Sequence, residues 1–272
     1  MPAEVKRDTW FLLRGLSREA GHWGQFLPDL RAALPEAAIH PIDLPGAGTR
    51  RDVAFPRSVA AAMEQVRTEA EQVAPIAQRK RTFVFALSLG GMIAIEWATR
   101  HPYELTGMVI GSTSAGGVSP YYRRLRPNAW WRIVAASGRK DGPARERGIL
   151  GMVSTRRELH DATSVAWAEV ARQRPMRREN VAAQLRAAIR YRAPRWAPDV
   201  PTELIVGAGD RMVHPDCSRA LAKQWNLPIS EHPSAGHELT LDASDWVVAQ
   251  IVRFARRFDS GAAATAAHGS AA

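Results

Sequence analysis

Cysteine is nearly absent. Cys217 stands alone in 272 residues, which excludes a disulfide framework and a multi-cysteine zinc site. No apolar run approaches the ~18 residues that a membrane span needs. The opening "MPAEVKRDTW" lacks the apolar core of a secretory signal, so a cytoplasmic protein is expected. No P-loop, dinucleotide fingerprint, zinc-spaced histidine pair or internal repeat is present, so no cofactor and no metal is implied. Lysine is also scarce, occurring only at Lys6, Lys80, Lys140 and Lys223; arginine carries almost all of the positive charge.

That charge is large, with 37 basic residues against 27 acidic ones and a net of +10. It is also localised. Between Ser119 and Pro198 lie 18 of the basic and 6 of the acidic residues, a net of +12, and the rest of the chain is net −2. Uniform codon bias does not concentrate the whole excess in one segment. The segment is either a solvated helical face or a surface that meets something acidic.

Short apolar runs alternate with amphipathic stretches. Strands are expected at "TWFLLRG", "AIHPIDL", "TFVFAL", "LTGMVIGS", "TELIVGAG" and "PISEHP". Helices are expected around Trp23–Leu34, Ser58–Gln78, Leu89–Arg100, Pro215–Trp225 and Leu241–Phe258. This order implies an open, doubly wound α/β sheet of about six parallel strands. One interval breaks the alternation: from Gly117 to Ala197 only helix-like stretches occur, too long for an ordinary connection. The expected organisation is a core of residues 1–118 and 199–258, a helical cap at 119–198, and a low-complexity, disordered tail at 259–272. The cap should cover the carboxyl ends of the strands, where open α/β sheets place their ligands.

The stretch "FALSLGG" ends the third strand on Ser88. A serine hydroxyl is a poor nucleophile near neutral pH unless a neighbouring base takes its proton. A sharp strand-to-helix turn holds such a hydroxyl clear of the sheet, but it crowds the residues two before and two after, here Ala86 and Gly90. The N–H of Leu89, opening the next helix, would face negative charge developing on a substrate oxygen.

Small-x-Ser-x-Gly at a strand end resembles the nucleophile elbow of the α/β-hydrolase family, with Ala86 where glycine is commoner. The resemblance spans nearly all of Thr9–Phe258 outside the cap, and implies the family fold without its N-terminal antiparallel hairpin. It implies the chain order Ser, acid, His. Asp210 in "GAGDRMVHP" then matches the acid and His237 in "PSAGHELTLD" the base, each just beyond a strand's carboxyl end. Asp210 also reads as a turn residue capping the next helix, and His237 as a loop histidine. The rivals are Asp216, nearer the helix start; Asp242, late in the chain; His22, ahead of Ser88; and His214, four residues from Asp210. Family members usually carry His-Gly after the first strand, and here Arg14-Gly15 stands there. By that match the Leu16 N–H is the second oxyanion donor beside Leu89. Arg14 is either a structural replacement or a cation at the site mouth. "DLPGAG" matches the family's Asp-x-Pro-Gly-x-Gly turn and reads as structural.

The resemblance implies a serine hydrolase acting on a small-molecule ester or thioester, with Ser88 excluding the aspartate-nucleophile dehalogenase and epoxide-hydrolase branches. Three readings stay open: a carboxylic-ester hydrolase; an esterase or thioesterase for acyl groups on an acidic acyl carrier protein or coenzyme A, docked on the basic cap; and a non-hydrolytic member, of cofactor-free haloperoxidase or ligand-binding type. Nucleic-acid binding is the least favoured. The cap aromatics form its own core or line an acyl pocket, with Trp130, Trp131 and Trp167 the candidates for substrate contact.

Overall fold

The computed structural model describes residues 6–129, 131–132 and 142–259. Six strands, β1 (Arg7–Leu13), β2 (Ala38–Ile42), β3 (Arg79–Leu87), β4 (Gly107–Gly111), β5 (Thr202–Gly207) and β6 (Ile229–His232), form one sheet in the order β2-β1-β3-β4-β5-β6. Every pairing is parallel. The sheet matches the doubly wound expectation, and the side chains show why. Along β1, Phe11 and Leu13 enter one core layer while Trp10 and Leu12 enter the other. β3 divides likewise, with Val84 and Ala86 on one face and Phe83, Phe85 and Leu87 on the other. A strand buried on both faces has no polar side, so it reads as a continuous apolar run.

Among the described residues the helices longer than a single turn are α1 (Phe26–Ala33), α2 (Val59–Val73), α3 (Leu89–Arg100), α4 (Gly142–Val153), α5 (His160–Gln173), α6 (Arg178–Arg190), α7 (Asp216–Trp225) and α8 (Ser244–Arg256). Ser58 caps α2, its hydroxyl accepting from the Ala61 N–H at 3.1 Å, a pairing that satisfies one orphan donor of the first turn. α2 is shorter than expected, closing at Val73 before Pro75. The closing helix is also interrupted. A single turn at Leu239–Asp242 ends at Ala243, and α8 starts afresh at Ser244.

Between β4 and β5 the described residues form helices and no named strand. α4 and α5 pack on each other around Leu150, Met152, Val153 and Trp167. α6 is different, because Ala187, with Tyr191 just after it, joins the main core over α3. Two buried amides on α6 tie it down. Asn180 accepts from the Phe55 N–H at 2.9 Å, and Gln184 accepts from the Ser17 N–H at 2.9 Å. No helix among the described residues is long and apolar enough to cross a membrane. The tail from residue 260 lies outside the described residues.

The chain enters the sheet at β1, steps outward to β2, and returns across β1 to β3. This reversal opens a crevice at the carboxyl ends of β1 and β3, the place where open α/β sheets bind ligands. Gly15 and Ser88 meet there.

Candidate active site

Ser88 links β3 to α3 with φ +54° and ψ −114°. A non-glycine residue in that region costs about 1–3 kcal/mol and persists only where its surroundings hold it. Here the Ser88 N–H donates to the Gly111 carbonyl at 2.9 Å, and its own carbonyl accepts from Thr113 Oγ1 at 2.9 Å. The small neighbours have more specific reasons than crowding around the serine. A Cβ on Gly90 would stand 2.5 Å from the Leu13 carbonyl oxygen and 2.7 Å from that of Arg14. A Cβ on Gly15 would lie 3.2 Å from Ser88 Cβ and 3.7 Å from its Oγ. Both glycines let the loop after β1 run against the turn. Neither the Leu16 nor the Leu89 N–H donates to an acceptor among the described residues, and both residues line one cleft with Ser88.

The two oxygens of Asp210 have different partners, and neither caps the next helix, which starts at Asp216. Oδ1 accepts from the N–H groups of Met212 and Val213, each at 2.9 Å, and shapes the turn after β5. Oδ2 lies 2.7 Å from His237 Nδ1. Both residues are buried. Burial alone would lower the imidazole pKa, but the charge and hydrogen bond of Asp210 outweigh it, leaving His237 above its ordinary value. With Nδ1–H donated to the carboxylate, Nε2 is left free. Ser88 and His237 line one cavity, with no hydrogen bond between them. Such contacts are often long in the absence of substrate.

The rival residues have other partners. Asp216 sits at the start of α7 among Arg123 and Arg219. His214 accepts from the Asp216 N–H at 3.2 Å. His22 is buried, accepts from the Glu19 N–H at 3.1 Å, and is driven well below its ordinary pKa by burial first, then by Arg18 and Arg14. Asp242 is a structural anchor: it accepts from Ser154 Oγ at 2.6 Å, the Gly236 N–H at 2.7 Å and the Thr155 N–H at 2.9 Å. The residue before His237 is thereby fixed to the end of α4. In the "DLPGAG" turn, Asp43 accepts from the Ala20 and Thr49 N–H groups at 2.7 and 2.8 Å.

Arg14 is buried, 2% exposed, with Nη2 at 3.1 and 2.9 Å from the two oxygens of Glu238. Its guanidinium also lies 4.7 Å from the Trp23 ring. Burial works to raise the Glu238 carboxyl, and Arg14 and Arg18 reverse this, holding it below the usual range. The pair joins the residue before Gly15 to the residue after His237. Arg14 is thus a structural tie that also lines the cavity. A buried arginine requires an acid, which was the available signal for Glu238, but nothing local in the sequence names the partner.

The cavity, about 810 Å³ with its open mouth included, is walled by the β1 loop, Ser88, His237 and residues of α4 such as Arg145 and Ile149. A second, more apolar cleft of about 550 Å³ shares Leu16, Ser88 and Met212 with it, and runs past Met92, Leu185 and Ile189. Of the three aromatic candidates, Trp131 is 70% exposed and Trp167 is buried behind Arg18, so neither lines the cavity; Trp130 lies outside the described residues. Much of the arginine excess is internally engaged. Arg124 donates to the carbonyls of Ala188 and Ile189, Arg126 to that of Asp210, and Arg174 binds Glu19. Arg178, Arg186 and Arg190 of α6 are exposed. Among the described residues no cluster of histidine, cysteine, aspartate and glutamate is placed to hold a metal ion.

Comparison with known proteins agrees with this architecture. No curated protein matches the chain. Among solved structures, it is similar to an enol-lactonase from Burkholderia xenovorans LB400 (19% identity, TM-score 0.74, 93% of each chain covered). It is also similar to a lipase-esterase related protein from Clostridium acetobutylicum ATCC 824 (15%, 0.69, 92% of this chain and 96% of that one). A thermophilic esterase from Thermogutta terrifontis is a third (18%, 0.69, 93% and 91%). At these identities the likeness speaks for the fold alone. The family profile described as the alpha/beta hydrolase family matches residues 11–250, nearly the whole described chain. With that match, the parallel sheet and the Ser88 turn, the chain belongs to the alpha/beta hydrolase family.

Proposed function

We propose that the protein is a serine hydrolase that cleaves carboxylic esters through an acyl-enzyme. The observation that carries this reading is the buried 2.7 Å pair of His237 and Asp210, with His237 lining the same cavity as the strained Ser88. Ser88 Oγ attacks the ester carbonyl carbon while its proton passes to His237 Nε2. The carbonyl oxygen takes up the electron pair and is held by the N–H groups of Leu16 and Leu89. Collapse of the intermediate breaks the bond to the alcohol oxygen, which leaves with the proton from His237. Water then repeats both steps on the acyl group and restores Ser88. Asp210 keeps Nδ1 protonated and steadies the imidazolium formed in each half.

The test is hydrolysis of p-nitrophenyl acetate and butyrate. Turnover that Ser88→Ala abolishes supports the reading, and equal turnover by both proteins contradicts it. A second reading, acyl groups delivered on an acidic carrier, draws on the exposed arginines of α6. Reversing Arg178, Arg186 and Arg190 together should then raise KM for an acyl-carrier thioester and leave p-nitrophenyl butyrate hydrolysis as it was. Unchanged KM across salt concentrations counts against it.

A further inference from the structure

We infer that the site selects esters that carry a free carboxylate, and that Arg18 binds this carboxylate. The inference rests on the hydrolase reading of Ser88 and names its substrate class.

Ser88 stands where two clefts join. One arm is apolar, bounded by Met92, Leu185 and Ile189. The other is flanked by three guanidiniums, those of Arg14, Arg18 and Arg145. Their charges are not all cancelled. Arg14 is neutralised by Glu238 through two bonds. Arg18 and Arg145 share one carboxylate, Glu146, at 2.8 and 4.0 Å. Among the described residues that wall therefore keeps an excess positive charge.

Arg18 is held as a binding group rather than as a solvated side chain. It is 7% exposed, yet it lines the cavity. Its guanidinium lies 4.2 Å from the Trp167 ring, and its Nη1 is bonded to Glu146, itself 2% exposed. Among the described residues no acceptor meets Nε or Nη2. Neither nitrogen is among the buried atoms left without a partner, so this edge is open to solvent and to a ligand in the cavity. The unpaired edge is the Nε/Nη2 fork, whose two parallel N–H groups match the two oxygens of a carboxylate. Trp167 covers one face and Glu146 occupies Nη1, so the site offers a planar fork rather than the cage of donors that a tetrahedral phosphate would need. Trp167, expected to touch substrate, acts instead as the platform that orients Arg18.

The experiment compares carboxylated and neutral isosteres. Mono-p-nitrophenyl glutarate is paired with p-nitrophenyl pentanoate for a carboxylate on the acyl side, and 4-acetoxybenzoate with phenyl acetate for one on the alcohol side. In one pair the carboxylated ester should have the higher kcat/KM by about tenfold or more. Arg18→Met should bring that ratio towards one. Glu146→Gln, which removes the competing carboxylate, should raise it; a purely structural role for the pair would not move the ratio in opposite directions. Glutarate binding to Ser88→Ala protein, measured by calorimetry, should likewise weaken with Arg18→Met and tighten with Glu146→Gln. Equal or better hydrolysis of the neutral ester in both pairs overturns the inference, as does an unchanged ratio in either folded variant. Failure of the hydrolase reading is distinguishable, because Ser88→Ala would then leave turnover intact while glutarate binding still reports on Arg18.

Discussion

Replacing Arg14 with methionine should destabilise the protein strongly, and the cost should depend on pH in a defined direction. Arg14 and Glu238 are both buried and bonded through both carboxylate oxygens. Removing one partner of a buried pair leaves the other charge uncompensated, which costs about 3–5 kcal/mol. The lost guanidinium contact with Trp23, at 4.7 Å, adds to this. For a chain of this size each kcal/mol shifts the melting temperature by about 2–4 °C, so Arg14→Met should melt on the order of 10 °C below the parent at pH 7. In the parent, Glu238 is held below its ordinary pKa against the effect of burial. A carboxyl lowered in the folded state contributes stability above its unfolded value of about 4.3 and loses it as pH falls through the folded value. In Arg14→Met, burial prevails and the carboxyl rises. Protonation then relieves the variant, so its deficit should shrink between pH 7 and about pH 4.5. Arg14→Met combined with Glu238→Gln should recover much of the loss, because no bare charge remains. The assay is thermal unfolding by circular dichroism at several pH values. A single variant within about 2 °C of the parent, a deficit independent of pH, or a double variant no more stable than the single would refute the reasoning.

Four other outcomes follow from the site. His237 must be neutral to accept the Ser88 proton, and its pKa is raised, so kcat/KM for a neutral ester should fall on the acid side with a midpoint above about 6.5. Asp210→Asn removes the cause of that shift; the midpoint should move down and kcat drop by about 10⁴-fold, measured by initial rates between pH 5 and 9. Gly90→Ala forces a methyl group against the Leu13 and Arg14 carbonyls, so urea denaturation should show a loss of about 1–3 kcal/mol, with slower turnover in the folded fraction. Asp242→Ala strands the Gly236 and Thr155 N–H groups, and hydrogen exchange should quicken at residues 153–156 and 234–238.

What could be read in the chain follows from how local each signal is. The strands were legible because burial on both faces makes them apolar without interruption. The Ser88 turn was legible because its steric demands fall within two residues. Asp210 and His237 were picked out by the chain order of serine, acid and histidine that the family resemblance implies, together with their positions just past strand ends. The ties between these pieces were not legible. Arg14 and Glu238 are 224 residues apart, and Arg18 and Glu146 are 128 apart; no periodicity connects them. Gly90 was assigned to crowding at Ser88, whereas it also admits the carbonyls of another strand. The break before α8 did carry a signal, since Ser244 and Asp245 are helix-start residues inside a run that otherwise reads as one amphipathic helix. Trp167 shows the limit of composition: an aromatic near a cavity can serve the residue that touches substrate without touching it itself.

The most direct test of Ser88 as an activated nucleophile is reaction with a fluorophosphonate probe, followed by mass spectrometry of the intact protein and its peptides. One adduct per chain, mapped to Ser88, absent in Ser88→Ala and slowed in His237→Ala, is the expected result. An unmodified Ser88 in folded wild-type protein, or labelling that persists at full rate without His237, would contradict it.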